Sequence, residues 1–348
     1  MKTLFDLAKF VLSAAASTFV GRRALSCTWE LTHRCTGKCE ICNYWRNPSR
    51  LEEELTLIDI QKGLRKIHSY GCRWVNFTGG EPTLRSDLDD IVSYSSAMGM
   101  WTTMVTNGGL LSRERIRNLG MAGLDSMFIS LDSIDPQKHD KQRGINGSFS
   151  QVLRCLRWLN EDFLASYKIG GVMCVLTSEN MRHYGDILAL AANLGVYVVF
   201  QPYHSSKTGE TRFSAELNEQ YVKGILDTNR VYRNLLCTRS YINGFAAYSQ
   251  KGILPPCHAG RKYFSIDPLG FLHACVDMPR AGHLLTDDIS VVRSEESLNH
   301  VRSCPGCWYN FRGEGSVTLS LKGYFEKLGL GLTIIKKNRS FKNKIGSC

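Results

Sequence analysis

Cys35-Thr36-Gly37-Lys38-Cys39-Glu40-Ile41-Cys42 brings three cysteines within eight residues, directly after the strand-forming residues 25–32. Three thiolates can hold three irons of a cubane 4Fe–4S cluster and leave the fourth iron without a protein ligand. Such an iron can bind a small molecule and pass it an electron directly. The triplet alone leaves a structural zinc site, completed by a distant fourth cysteine, as the alternative. The spacing therefore predicts a metal centre.

Three further predicted strands end in motifs that are polar or contain glycine. Residues 74–78 run into Gly79-Gly80-Glu81-Pro82, residues 101–105 into Thr106-Asn107-Gly108, and residues 126–131 into Asp132-Ser133. Two glycines at a strand end allow close approach of the backbone to a ligand, or a backbone conformation that is closed to other residues. Each motif alone would indicate an ordinary turn. Together with the cysteine loop, and in this order along the chain, the motifs indicate a ligand-binding site more specifically than any one of them does alone.

In these motifs the chain resembles the radical S-adenosylmethionine (SAM) superfamily, over roughly residues 25–205. The resemblance implies that Cys35, Cys39 and Cys42 ligate a 4Fe–4S cluster whose open iron binds the amino and carboxylate groups of SAM. It also implies a set of SAM-binding residues on the neighbouring strand ends. These are Gly79, Gly80 and Glu81 at the methionine amino end, and Asn107, Ser130 and Asp132 on the ribose and carboxylate side. Arg143 is a further residue that would face the SAM carboxylate. Ile41 departs from the family pattern, which has an aromatic residue at this position.

Stretches with helical spacing of apolar residues follow the predicted strands. They cover residues 56–70, 88–98, 113–121, 149–164 and 184–194, and two more strands are predicted at 169–176 and 196–200. The alternation predicts an α/β fold, a partial (β/α)6 TIM-type barrel with a parallel sheet and helices outside. All the polar motifs then fall at the carboxyl ends of the strands, where such barrels place their active sites.

A second group of cysteines follows the barrel pattern. Cys257 and Cys275 flank a predicted hairpin, and Cys304-Pro305-Gly306-Cys307 is a tight chelating pair. Their spacing suits either zinc or a fully ligated second 4Fe–4S cluster. The arrangement is similar to the twitch auxiliary-cluster domain of radical SAM proteins and lacks the additional cysteines of the longer SPASM domain, which implies one auxiliary 4Fe–4S cluster. Cys237 is a possible substitute ligand.

Most of the formal net charge of +11 is carried by the two ends of the chain. Residues 1–23 contain four Lys or Arg and one acid, and residues 320–348 contain seven and one. Apolar residues accompany these charges, a combination that suits a helix in the interface of an anionic membrane. The alternative is that both ends pack on the barrel and the tail is solvated. A secretory signal is disfavoured by Asp6 and Lys9, and no run is long enough to span a bilayer.

The expected organisation has four parts: a basic amphipathic N-terminal helix (1–24), the radical SAM barrel (25–205), a small twitch-like auxiliary-cluster domain (206–312) and a basic amphipathic tail (313–348). The resemblance implies reductive cleavage of SAM to a 5′-deoxyadenosyl radical, which takes hydrogen from a substrate C–H bond in a net oxidation or rearrangement. The basic ends favour a lipid, isoprenoid, pigment or lipid-linked sugar as substrate. One alternative is modification of a ribosomal peptide, and another is a non-catalytic iron–sulfur electron carrier.

The expected partners are a reductant such as flavodoxin or ferredoxin, a small-molecule or lipid substrate and an anionic membrane surface. Nucleic acid is not expected, because no recognition motif accompanies the charge. The ligand-like clustering of the thirteen cysteines favours a reducing cytoplasm over disulfides, with peripheral placement on the inner membrane face. No catalytic residue is assigned. Tyr203 and His204 lie near the expected barrel mouth, where a lone histidine more often serves packing.

Overall fold

The computed structural model describes residues 24–164, 168–251, 253–318 and 320–345. Within these ranges one mixed sheet contains nine strands in the order β6-β5-β4-β3-β2-β1-β7-β8-β9. The strands are β1 Ser26–Thr32, β2 Trp74–Gly79, β3 Trp101–Thr106, β4 Ser126–Ser130, β5 Ile169–Leu176, β6 Tyr197–Pro202, β7 Tyr263–Ile266, β8 Phe271–His273 and β9 Arg280–His283. Strands β1 to β6 are parallel to their neighbours, which confirms the six predicted β/α units.

Helices follow the parallel strands and cover the sheet. The described helices are α1 Leu57–Tyr70, α2 Leu88–Ala97, α3 Arg113–Ala122, α4 Pro136–Arg143, α5 Ser148–Trp158, α6 Tyr184–Asn193, α7 Glu219–Tyr232, α8 Arg239–Ser249, α9 Glu295–Ser303, α10 Asn310–Thr318 and α11 Leu321–Ile345. A π-helical turn, Leu159–Phe163, extends α5. The helix predicted at 56–70 begins one residue later, because the Thr56 side chain accepts a hydrogen bond from the Asp59 amide and so caps it.

Helix α4 is absent from the sequence-based prediction. Its residues are almost entirely polar, so it has no apolar stripe that would indicate a helix. It begins because the Asp135 side chain accepts hydrogen bonds from the amides of Gln137 and Lys138, and Pro136 fits the first helical position. Gly144, with φ of 61°, ends it. The helix brings Arg143 back toward the cysteine loop.

The predicted hairpin before Cys275 is confirmed as β7 and β8, which pair antiparallel. Its position was not predicted: β7 also pairs in parallel with β1, from Ser26 opposite Tyr263 to Trp29 opposite Ile266. Strand β9, also unpredicted, extends the sheet further. The hairpin of the second cysteine group is therefore a continuation of the barrel sheet, beside the strand that leads into the first cysteine loop.

The two ends of the chain are described unequally. Residues 1–23, where an amphipathic helix is predicted, lie outside the described residues. Near the other end, Glu326 of α11 accepts hydrogen bonds from the backbone and side chain of Ser240, and Lys327 lies 3.8 Å from Glu314. The start of α11 thus packs on α8 and α10. Searched over the described ranges, no helix combines the length and the apolarity needed to cross a membrane.

Candidate cluster sites and the cavity between them

The first cysteine loop leaves β1 and is held from behind by the end of α4. The amide of Lys38 donates to the Arg143 carbonyl at 3.0 Å, and the amide of Glu40 donates to the Gln142 carbonyl at 3.2 Å. Cys39 is buried, whereas Cys35 and Cys42 are partly exposed. The three predicted ligands therefore share one loop that the rest of the barrel supports.

A buried ion pair lies beside this loop. The Arg143 guanidinium pairs with the Asp132 carboxylate, and its Nη1 lies 3.9 Å from Cys39 Sγ. Asp132 also accepts the Val175 amide at 2.8 Å and is fully buried. The Arg143 Nε is buried without a hydrogen-bond partner among the described residues. A cation with a spare donor next to a thiolate suits an anionic iron–sulfur cluster at this position.

The Gly79-Gly80-Glu81 motif packs against the residues that lead into the cysteine loop. The Gly80 amide donates to the Thr32 carbonyl at 2.7 Å, and a Cβ added at Gly80 would overlap the Arg34 carbonyl oxygen. Gly79 has φ of 119°, which other residues rarely adopt. The structure thus shows why both glycines are needed for the backbone, and their contact with SAM stays a prediction.

The carboxylate of Glu81 links the ends of β2 and β3. It accepts hydrogen bonds from the side chains of Thr83 and Thr106 and from the amides of Thr83 and Asn107, at 2.6 to 3.1 Å. Burial raises the pKa of Glu81 although these hydrogen bonds oppose the shift. The Asn107 side chain donates to Thr36 Oγ1 at 3.0 Å, beside Cys35. Ser130 is buried at the end of β4. The predicted SAM-binding residues therefore meet at one edge of the sheet, around the cysteine loop.

Position 41, where the family pattern has an aromatic residue, is in contact with aromatic side chains from elsewhere in the chain. Ile41 packs in a small apolar cluster with Tyr203 and Phe213, whose rings meet edge to face at 5.6 Å between centroids. Phe213 comes from the irregular segment after β6, and no local pattern in the sequence marks it. Two buried aromatic rings from a remote part of the chain thus lie beside the cysteine loop.

The second cysteine group surrounds a small apolar cluster next to β7 and β8. Cys275 is buried there with Tyr263, and Cys257 Sγ lies 3.1 Å from the Tyr263 hydroxyl. Cys257 packs against the same apolar cluster as Cys275, and burial raises the pKa of the Cys275 thiol. Cys304 Sγ accepts the Gly306 amide at 3.4 Å. The four thiols lie on three segments, before β7, after β8 and after α9, and four is the number of ligands that a fully ligated cluster needs. Cys237 is instead buried with its Sγ 3.6 Å from the Phe200 carbonyl.

Over the described residues, no three His, Cys, Asp or Glu side chains converge closely enough to hold a single metal ion. Thiolates of a cubane cluster each bind a different iron and so do not need to meet at one point. The identity of the groups at both cysteine sites stays a prediction.

His204 connects the end of the barrel to the second cysteine group. Its Nε2 donates to the Gly306 carbonyl at 2.7 Å, and its Nδ1 lies 2.6 Å from Ser206 Oγ. Tyr203 is buried, and its hydroxyl donates to the Glu210 carbonyl at 2.9 Å. Both side chains are thus engaged in hydrogen bonds, and no catalytic role is assigned to either.

A cavity of about 300 Å³ lies between the two cysteine groups. Asn43 and Tyr44, which directly follow Cys42, line one side, and Val276 and Asp277, which directly follow Cys275, line the other. The cavity is therefore placed where a substrate could be near both sites.

Comparison with known proteins places this geometry in a family context. Residues 29–191 match the profile described as the Radical SAM superfamily. The chain is 27% identical over 309 residues to the PqqA peptide cyclase of Bradyrhizobium diazoefficiens, covering 82% of this chain and 74% of that protein. It is 29% identical over 273 residues to mycofactocin maturase MftC of Mycolicibacterium smegmatis, covering 75% and 67%.

A third relative, the Fe-coproporphyrin III synthase of Methanosarcina barkeri, is 30% identical over 207 residues; the match covers 58% of this chain and only 51% of that protein. Among solved structures, Streptococcus suis SuiB bound to the precursor peptide SuiA is similar with a TM-score of 0.64 at 16% identity, covering 86% of this chain and 71% of that one. The structural likeness confirms the partial-barrel fold.

Proposed function

We propose that this chain, a member of the radical SAM superfamily through residues 29–191, modifies a peptide substrate. The observation that carries the proposal is the similarity to the PqqA peptide cyclase, which extends over 82% of the chain and so beyond the barrel. The similarity to MftC, described as a maturase, supports it further. These relatives favour the peptide alternative over the expected lipid, isoprenoid, pigment or lipid-linked sugar.

In this proposal Cys35, Cys39 and Cys42 hold the SAM-binding 4Fe–4S cluster. When bound, the cluster and SAM supply a 5′-deoxyadenosyl radical that removes a hydrogen atom from a C–H bond of the substrate. Arg143 places a positive charge beside Cys39, and Asp132 holds the guanidinium in place. The Glu81 carboxylate keeps the ends of β2 and β3 in register with the cysteine loop. The SAM-facing residues are Gly79, Gly80, Glu81, Asn107, Ser130 and Asp132.

Cys257, Cys275, Cys304 and Cys307 hold the auxiliary 4Fe–4S cluster in the same proposal. Because β7 pairs directly with β1, the two cysteine groups are held in a fixed relation by one sheet. Fully ligated, the second cluster has no free iron and is suited to electron transfer. A reductant such as flavodoxin or ferredoxin would supply the electron for SAM cleavage, and the reducing conditions of a cytoplasm would preserve both clusters.

The test measures 5′-deoxyadenosine released by the anaerobically reconstituted, reduced enzyme with SAM. A small-peptide fraction of the host extract is added with or without prior proteinase treatment, and a lipid extract is added in parallel. We expect stimulation by the peptide fraction that proteinase abolishes. Stimulation by the lipid extract alone, or by the peptide fraction after complete proteolysis, would overturn the proposal.

Two variants control this assay. Cys39→Ala should abolish 5′-deoxyadenosine formation. Cys72→Ala should retain it, because Cys72 is buried in the core cluster just before β2, at the amino end of that strand, whereas the cysteine loop lies at the carboxyl ends of the strands. Loss of SAM cleavage in both variants would indicate general damage rather than loss of a cluster ligand.

A further inference from the structure

The cavity between the two cysteine groups is lined by several ionisable side chains. The ionisable residues in its lining are Glu30, His33, Lys207, Asp267, His273, Asp277 and Arg280. These residues come from β1, from the segment after β6 and from the β7–β9 meander, which are far apart in sequence. A volume of about 300 Å³ is at the small end of the range for ligand pockets. It suits one amino-acid side chain better than a lipid chain.

The acidic groups in this cavity already have close partners. Glu30 Oε2 lies 2.6 Å from His33 Nε2, and its other oxygen accepts the Tyr44 hydroxyl. Asp267 lies 3.4 Å from His273 Nε2 and 3.5 Å from Arg280. Glu30 and Asp267 thus each have partners in the cavity wall other than Lys207.

Lys207 is partnered less completely. Its ammonium donates to the Tyr44 hydroxyl at 3.0 Å, but the nearest Asp277 oxygen is 3.7 Å away, beyond an ordinary hydrogen bond. Asp277 in turn accepts the Ser206 hydroxyl at 2.8 Å. The Lys207 ammonium lies 4.5 Å from the centroid of the Tyr44 ring, and its side chain is only 20% exposed. An ammonium has three N–H donors, so donors remain that can reach a ligand in the cavity.

We propose that this cavity binds a carboxylate of the peptide residue that reacts, with the Lys207 ammonium as its anchor. The ligand is an aspartate or glutamate side chain or a peptide C-terminal carboxylate. A partly buried ammonium beside aromatic rings is well suited to hold an anion, because the shielded surroundings strengthen the charge–charge attraction. This inference rests on the proposed function and adds the chemical class of the residue that is bound.

The competing interpretation gives Lys207 a structural role only. Its contacts join Tyr44, next to the first cysteine group, to Asp277, next to the second. A purely structural lysine would affect the binding of neutral and acidic ligands alike. Selective loss of carboxylate recognition therefore distinguishes the two roles.

The experiment titrates the full-length reconstituted holoenzyme with acetyl-Gly-Glu-Gly-amide and with acetyl-Gly-Gln-Gly-amide, followed by ligand-observed NMR. We expect the glutamate peptide to bind at least tenfold more tightly than its uncharged analogue. Lys207→Met should reduce this ratio below twofold, and Lys207→Arg should retain most of it. Lys62→Met is the matched control, since Lys62 lies on the outer face of α1 with a side chain 55% exposed and should leave the ratio unchanged.

Equal affinity of the wild-type enzyme for the two peptides would overturn the proposal without recourse to any variant. A preserved ratio in Lys207→Met would overturn it as well. A parallel titration with glutarate separates this inference from the proposed function. Binding of glutarate that depends on Lys207 supports the anchor even if the peptide fraction fails to stimulate 5′-deoxyadenosine release.

Discussion

Replacing Arg143 by glutamine should lower the midpoint reduction potential of the 4Fe–4S cluster proposed at Cys35, Cys39 and Cys42. The guanidinium Nη1 lies 3.9 Å from Cys39 Sγ, so its charge would stabilise the additional electron of the reduced cluster. Two unit charges at this distance interact by about 4 kcal/mol at an effective dielectric constant of 20. A hydrogen bond to a charged group has a net value of roughly 1.5–3 kcal/mol. For a one-electron couple this corresponds to a decrease of about 60 to 130 mV.

The assay is a potentiometric titration followed by electron paramagnetic resonance, in the Cys275→Ala background so that the first cluster titrates alone. Arg143→Lys retains the charge and should shift the potential by less than half as much. The double variant Arg143→Gln/Asp132→Asn removes the unpaired buried carboxylate and checks that the shift does not arise from misfolding. A potential within about 20 mV of that of the parent, under 0.5 kcal/mol for one electron, would refute the reasoning.

Three further outcomes are expected. Cys275→Ala should lose about half of the bound iron, because each cubane contains the same number of irons. Cys72→Ala, in the core at the amino end of β2, should lose none, and iron analysis measures both. Gly80→Ala should lower the unfolding midpoint in urea and reduce cluster incorporation, because its Cβ would overlap the Arg34 carbonyl. Gly185→Ala on α6 should do neither, because the nearest atom to its Cβ would be Thr228 Cγ2 at 4.0 Å, an ordinary contact. Burial, with the neighbouring Arg143 charge, lowers the pKa of His139 to about 4, so the folded protein keeps this side chain neutral while the unfolded chain protonates near pH 6.5. Stability should therefore fall as the pH drops from 6.5 toward 4, by about 3 kcal/mol from this residue. Denaturation of His139→Gln over this pH range should show a flatter profile.

The fold could be predicted from local pattern at most positions. The helix at 56–70 and the strand at 169–176 are marked by the spacing of their apolar residues, and both are present within one residue of the predicted bounds. Helix α4 could not be found in this way, because it faces the site with polar residues and is set by its Asp135 cap. The parallel pairing of β7 with β1 also has no local signal, since it depends on which sheet edge is free.

The order of motifs was sufficient to predict that Cys35, Glu81, Asn107 and Asp132 would gather at one edge of the sheet. That inference needs only the regular geometry of parallel strands, whose carboxyl ends lie side by side. It did not extend to the contacts that those side chains make. The structure shows that the Glu81 carboxylate accepts hydrogen bonds from Thr83, Thr106 and Asn107, and its contact with SAM stays a prediction.

Short-range chemistry and periodicity, which are written in consecutive residues, thus specify the cysteine loop, the β/α alternation and the family. Tertiary structure decides which distant groups meet. Arg143 approaches Cys39 across 104 residues of chain, and Lys207 approaches Tyr44 across 163. Such contacts depend on how helices and strands pack in three dimensions, and the spacing of residues along the chain contains no direct record of them.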